Sequence, residues 1–191
     1  MEEPKKIIYL HGFNSSSFSK KSQVLDSYLK ENKYFSFESP DLSISPKEAI
    51  AKIEKIISNK SSGTVLIGSS LGGLYATFLA NKYQLKSVTI NPVVKNHIEG
   101  MEGLIGKHKN FHSREECEFF EEDFEDLKEL GLSKLKDPLN HLCLVKMGDE
   151  VLDHQITRRY FSSSYVVCEK NGNHSYDDFL EKIPLILDYL F

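Results

Sequence analysis

The chain is 191 residues long, 40% hydrophobic, and carries a formal net charge of -4. That length and apolar content suit one compact domain with a continuous core. No run approaches the roughly 18 apolar residues of a membrane span, the start from Met1 to Lys6 lacks a signal peptide's apolar core, and neither half is strongly basic, so a soluble cytoplasmic protein with no membrane or nucleic-acid partner is expected.

Lys6 to Leu10 is a short apolar run of the kind that forms a strand buried on both faces, and His11-Gly12-Phe13-Asn14 follows as a loop whose glycine lets the chain turn back. Past the loop serines Ser15 to Ser17, the spacing of Val24, Leu25, Tyr28 and Leu29 predicts a helix, and Phe35 to Ser39 a second strand. Ser45-Pro46-Lys47-Glu48 then places a capping serine, a proline at the first helical position and a glutamate at the third ahead of Ile50, Ile53, Ile56 and Ile57. Thr64 to Ile67 reads as the third strand and leads into Gly68-Ser69-Ser70-Leu71-Gly72 and another helix, while Ser87 to Ile90 is the fourth strand.

The regular alternation stops between Val93 and Asn140, where helical runs around Arg114 to Leu130 stand without a convincing strand. This 93–140 stretch is a candidate helical cap, with Ile98, Met101, Leu104, Ile105, Phe111, Phe119, Phe120 and Phe124 available to roof a site; an ordinary helical crossover is the alternative. Regularity returns with a strand at Leu142 to Met147, a helix over Ile156 to Phe161 and a strand at Tyr165 to Glu169. A terminal helix is expected to begin near Tyr176, with Pro184 kinking or restarting it. The apolar tail Ile183 to Phe191 packs on the sheet or forms a dimer contact; the first is preferred, giving a monomer or weak homodimer.

Alternating strands and helices require crossover connections, so the expected fold is α/β: a single domain over residues 1–191 with a mostly parallel six-stranded sheet, helices on both faces and a small helical cap. Cys117, Cys143 and Cys168 have no metal-ligand spacing and read as buried reduced thiols. Glu115 to Asp126 holds eight acidic residues and no basic one, which usually means a solvated helix face.

In such sheets reactive groups collect beyond the carboxyl ends of the strands. Ser70 stands there, between small residues that leave room for a sharp strand-to-helix turn, as a nucleophile elbow requires. A serine hydroxyl needs a base near neutral pH, and His174, after the turn residues Asn171-Gly172-Asn173 that end the last strand, is the candidate. The histidine needs a carboxylate to hold its tautomer; Asp149, directly after a strand, is favoured over Asp153, which suits a helix cap. The amides of Leu71 and Phe13 are the expected oxyanion donors, and His11 is read as structural. His108 and His112 have the i, i+4 spacing of a helical metal pair, but the polar composition around them suits a loop better, and His97, His141 and His154 have no evident partners; no metal or cofactor is expected. Gly72-Gly73 lacks the lysine and spacing of a phosphate loop.

Together, Ile8-Tyr9-Leu10-His11-Gly12-Phe13-Asn14-Ser15-Ser16, Gly68 to Gly73, Asn91-Pro92, Gly148 to Asp153 and Gly172-Asn173-His174 resemble the YqiA/YcfP-like bacterial esterases, a compact branch of the α/β-hydrolase fold. The similarity spans nearly the whole chain and is least from about Lys95 to Asp137. It implies a Ser70, Asp149, His174 triad acting on a small-molecule substrate, a short acyl ester or acyl thioester. A serine peptidase would use the same chemistry, and a non-catalytic binding module that docks a basic partner on the acidic tract is the reading from another class.

Overall fold

The computed structural model describes residues 4–58 and 63–191. The first half runs β1 (Lys5–Leu10), α1 (Lys20–Leu29), β2 (Phe35–Glu38), α2 (Pro46–Ser58), β3 (Val65–Ser69), α3 (Leu71–Tyr83) and β4 (Ser87–Ile90). The second half runs α4 (Lys95–Ile98), β5 (Gly106–Lys109), β6 (Glu116–Phe119), α5 (Glu121–Leu130), β7 (His141–Lys146), α6 (His154–Tyr160), β8 (Tyr165–Glu169) and α7 (Ile183–Leu190). Six strands form one sheet in the order β2-β1-β3-β4-β7-β8, every pairing parallel, as the α/β reading requires.

Period-two alternation divides the core. Ile8, Leu10 and Leu66 face α2, α3 and α5, whereas Ile7, Tyr9, Val65 and Ile67 face α1 and α7 on the other side. All five residues of β3 are buried. This strand lies between β1 and β4, so the residue that follows it emerges at the middle of the sheet's carboxyl edge.

Most helix boundaries follow local chemistry. α2 begins at Pro46, but Glu48 accepts a hydrogen bond from Ser43 Oγ at 2.7 Å, so the acid braces the approach to the helix. Asp153 caps α6 by accepting from the Gln155 amide at 2.8 Å. The last helix differs from expectation. Tyr176 has φ +54° and sits in a turn, a single 3-10 turn covers Phe179–Lys182, and α7 starts at Ile183 with Pro184 in its first turn. Its Ile183, Ile186 and Leu190 are buried against the sheet.

The stretch 93–140 is not purely helical. β5 and β6 form an antiparallel two-stranded ribbon, and only its distal part, α5, is a helix of any length. His108 consequently lies on a strand and His112 beyond it, so their spacing brings no helical pair; no cluster of three metal-binding side chains occurs among the described residues. Phe119, Phe124 and Ile98 are buried in the main core, Ile105 and Phe120 are exposed, and Met101, Leu104 and Phe111 line a cavity described below. The acidic tract has a structural use: Glu121, Glu122 and Asp123 occupy the first turn of α5, where negative charge complements the helix dipole, and Asp123 accepts from the Phe120 amide at 3.0 Å. All three cysteines are free; Cys143 is fully buried, which pushes its thiol up to about 12, while Cys117 and Cys168 are half-buried. No helix among the described residues is long and apolar enough to cross a membrane.

Candidate active site

Ser70 occupies the single step between β3 and α3, with φ 55° and ψ -122°, a conformation that non-glycine residues rarely adopt. Three backbone hydrogen bonds hold it there: its amide donates to the Ile90 carbonyl at 3.0 Å, and its carbonyl accepts from the Val93 amide at 3.0 Å and from the Gly73 amide at 2.9 Å. The glycines around it are needed for contact, since a Cβ on Gly68 would lie 2.1 Å from the Gly72 carbonyl oxygen. A Cβ on Gly72 would lie 2.1 Å from the Leu10 carbonyl oxygen.

His174 reaches Ser70 from the loop after β8, with Nε2 3.0 Å from Ser70 Oγ. Its Nδ1 lies 2.8 and 3.0 Å from the two oxygens of Asp149, which follows β7 and whose side chain is only 2% exposed. Because a carboxylate can only accept, Nδ1 carries the proton and Nε2 presents a lone pair to the serine hydroxyl. Burial works to raise the Asp149 carboxyl, but the hydrogen bonds from His174 and from the Leu152 and Val151 amides outweigh it and hold the group below its ordinary value. Asp153 is occupied at its helix cap, and it is Asp149 that the histidine meets.

Leu71 and Phe13 flank the serine. Neither backbone N–H has an acceptor among the described residues, Leu71 being the first residue of α3 and Phe13 lying in the loop after β1. Gly12 brings that loop against the serine: a Cβ there would lie 3.2 Å from Ser70 Cβ. His11 underpins the loop. Its Nε2 accepts from the Leu42 amide at 3.0 Å, so Nδ1 carries the hydrogen donated to the Gly12 carbonyl at 2.9 Å. Burial pushes the His11 pKa down, which keeps the ring neutral.

Further supports have roles that the linear pattern does not disclose. Asn91, buried and with φ +41°, donates from Nδ2 to the carbonyls of Asn173 and His174 at 3.0 and 3.2 Å, while its Oδ1 accepts from the Lys146 amide at 2.9 Å. One side chain thereby ties β4 and β7 to the histidine loop. His97 and His141, which lacked visible partners in sequence, are both buried: His97 bonds the Asp153 carbonyl at 3.1 Å and the Val94 amide at 3.3 Å, and His141 bonds Ser87 Oγ at 2.8 Å. The β5–β6 ribbon braces the loop after β1. Phe13 packs edge-on between His108 and Phe119, with ring centroids 4.9 and 5.6 Å away, and Asn14 donates to the Lys109 carbonyl at 2.7 Å.

Ser70 and His174 open into a cavity of about 460 Å³, walled mainly by apolar side chains including Val93, Met101, Leu104, Phe111 and Leu152. The volume lies within the range of small-molecule sites.

The chain is similar to known proteins in sequence and in fold. A model of the uncharacterised protein family UPF0227 matches residues 6–191. A UPF0227 protein of Shewanella woodyi is 22% identical over 190 residues, covering 94% of this chain and 96% of the relative. In three dimensions the chain is similar to a candidate hydrolase from Agrobacterium vitis S4, at a TM-score of 0.80 and 16% identity, covering 100% of this chain and 89% of that one. It is also similar to mouse alpha/beta hydrolase domain-containing protein 10, at 0.74 and 16% with 100% and 92% covered. Est1E from Butyrivibrio proteoclasticus, solved with ferulic acid bound, gives 0.71 and 13% with 100% and 88% covered. These likenesses show the α/β-hydrolase fold.

Proposed function

The chain belongs to the UPF0227 family and has the α/β-hydrolase fold, and on that premise we propose that it is a serine hydrolase that cleaves carboxylic acyl esters or acyl thioesters through an acyl-serine intermediate. The observation that carries this reading is the continuous hydrogen-bond line from the Asp149 carboxylate through His174 to Ser70 Oγ at the mouth of an apolar cavity.

Each step follows from the atoms on that line. Nε2 accepts the Ser70 proton as Oγ bonds to the substrate carbonyl carbon, and Asp149 stabilises the imidazolium that forms. The carbonyl oxygen becomes an oxyanion held by the Leu71 and Phe13 amides, an interaction whose loss costs about 3 to 4 kcal/mol per donor. Collapse of this intermediate expels the alcohol or thiol with a proton from His174. A water then repeats the sequence on the acyl-serine and regenerates the hydroxyl. Parallel with the triad, the β5–β6 ribbon acts as part of a cap that fixes the oxyanion loop and supplies the cavity wall through Phe111.

Kinetics across para-nitrophenyl esters and acyl-CoA thioesters of graded chain length test the reading. Wild type turns over at least one series and Ser70→Ala loses that turnover while keeping its far-UV circular dichroism. Equal turnover by the two proteins refutes it.

A further inference from the structure

Lys21, in the first turn of α1, lines the same cavity as Ser70 and His174. It is half-buried and makes no ion pair among the described residues; Asp177, whose field reaches it, is bridged at 3.6 Å by Lys20 instead. His174 aside, every other described residue in the lining is uncharged at neutral pH, so among the described residues the chamber has a single cationic side chain and no carboxylate. Its placement is unfavourable for α1, which has no acidic residue in its first turn and sets Lys20 and Lys21 against its own dipole. Burial disfavours the ammonium and brings Lys21 down to about 8, the Asp177 charge opposing that shift and Lys20 adding to it. A cation held half out of water without a counter-ion is relieved when an anion arrives.

We propose that the substrate carries an anionic group, a carboxylate or phosphate, that pairs with Lys21 while Ser70 attacks the ester carbonyl. This rests on the serine-hydrolase reading and narrows its substrate class. The anion selects and orients the substrate, and the apolar walls hold the remainder.

The test compares kcat/KM for matched anionic and neutral esters. Mono-para-nitrophenyl succinate against para-nitrophenyl butyrate places the charge on the acyl side. Meta-acetoxybenzoate and meta-acetoxyphenyl phosphate against phenyl acetate place a carboxylate or a phosphate on the leaving group. In wild type the anionic member of at least one pair is favoured about 10- to 100-fold, the usual worth of a charge-assisted hydrogen bond. Lys21→Met brings the ratio near one, Lys21→Arg retains it and Lys21→Glu inverts it. The wild-type ratio also falls as pH rises through about 8, where Lys21 loses its proton among neighbours Lys20, Asp177, Tyr9 and His174. Turnover with no anionic preference in wild type, or a preference unchanged in Lys21→Met, overturns the inference and leaves the hydrolase reading intact. Turnover of neither charged nor neutral ester refutes the hydrolase reading and this inference with it.

Discussion

Gly72→Ala tests how the elbow sets the site. The added Cβ would sit 2.1 Å from the Leu10 carbonyl oxygen and 2.5 Å from that of His11, both backbone atoms that cannot rotate away. A carbon and a carbonyl oxygen rest at about 3.3 Å at closest, so α3 must retreat from the end of β1 by about 1 Å. Ser70 and Leu71 lie at the start of α3, and Gly12 and Phe13 directly follow His11, so that retreat moves the two candidate oxyanion donors apart. Overpacking of this size costs about 1 to 3 kcal/mol of stability. Displacement of reacting groups by about 1 Å lowers kcat/KM by about 100-fold. Urea unfolding and ester kinetics on the same preparation measure both. If Gly72→Ala matches wild type in unfolding midpoint and in kcat/KM, the close approach of α3 to β1 is not what aligns the site.

Asp149→Asn offers His174 an amide in place of an obligatory acceptor, frees the ring to take the other tautomer, and lowers kcat by about 10,000-fold with little change in unfolding midpoint, measured by steady-state kinetics and denaturation. Lys146→Met removes the cation that meets Glu169 at 2.7 Å and Asp178 at 2.6 Å beneath the histidine loop; because Lys182 and Tyr176 still serve Glu169 and both carboxylates keep some contact with water, the loss in urea unfolding is about 2 to 3 kcal/mol, below that of a fully buried pair. His141, neutral against Ser87 and brought down to about 4 by burial, takes up its proton more readily unfolded than folded. Its contribution to stability is therefore present above about 6.5 and lost as pH falls toward about 4, and His141→Asn flattens the denaturation midpoint across that window.

The parts of this molecule that could be read from sequence are those written in local chemistry. Ser87 to Ile90 coincides with its strand because short buried strands are runs of apolar and β-branched residues, and Tyr165 to Glu169, half-exposed at the sheet's edge, is legible from the same β-branched and aromatic content. Ser70, Asp149 and His174 were each marked by their position just past a strand, which is also where the structure brings them together. The β5–β6 ribbon has no signature in the sequence because Gly106-Lys107-His108-Lys109 and Glu116-Cys117-Glu118-Phe119 are mostly polar and half-exposed, and the ribbon is held by contacts to Phe13 and Asn14 that are remote in the chain. Asn91 belongs to the Asn91-Pro92 pair that the family resemblance rests on, but its bonding role and that of His97 could not be read locally, because their partners, Asn173, His174 and Asp153, lie on the far side of the sequence. The late start of α7 follows from Tyr176, whose φ of +54° no α-helix admits and whose hydroxyl donates to Glu169 at 2.8 Å, and from Pro184, which suits only the first turn of the helix.

Intact-mass spectrometry after exposure to a fluorophosphonate tests the central claim most directly. The account predicts one adduct on the wild-type protein, mapped by peptide sequencing to Ser70 and not to the adjacent Ser69, and none on Ser70→Ala. An unmodified wild-type protein, under conditions that fully label a control serine hydrolase, contradicts it.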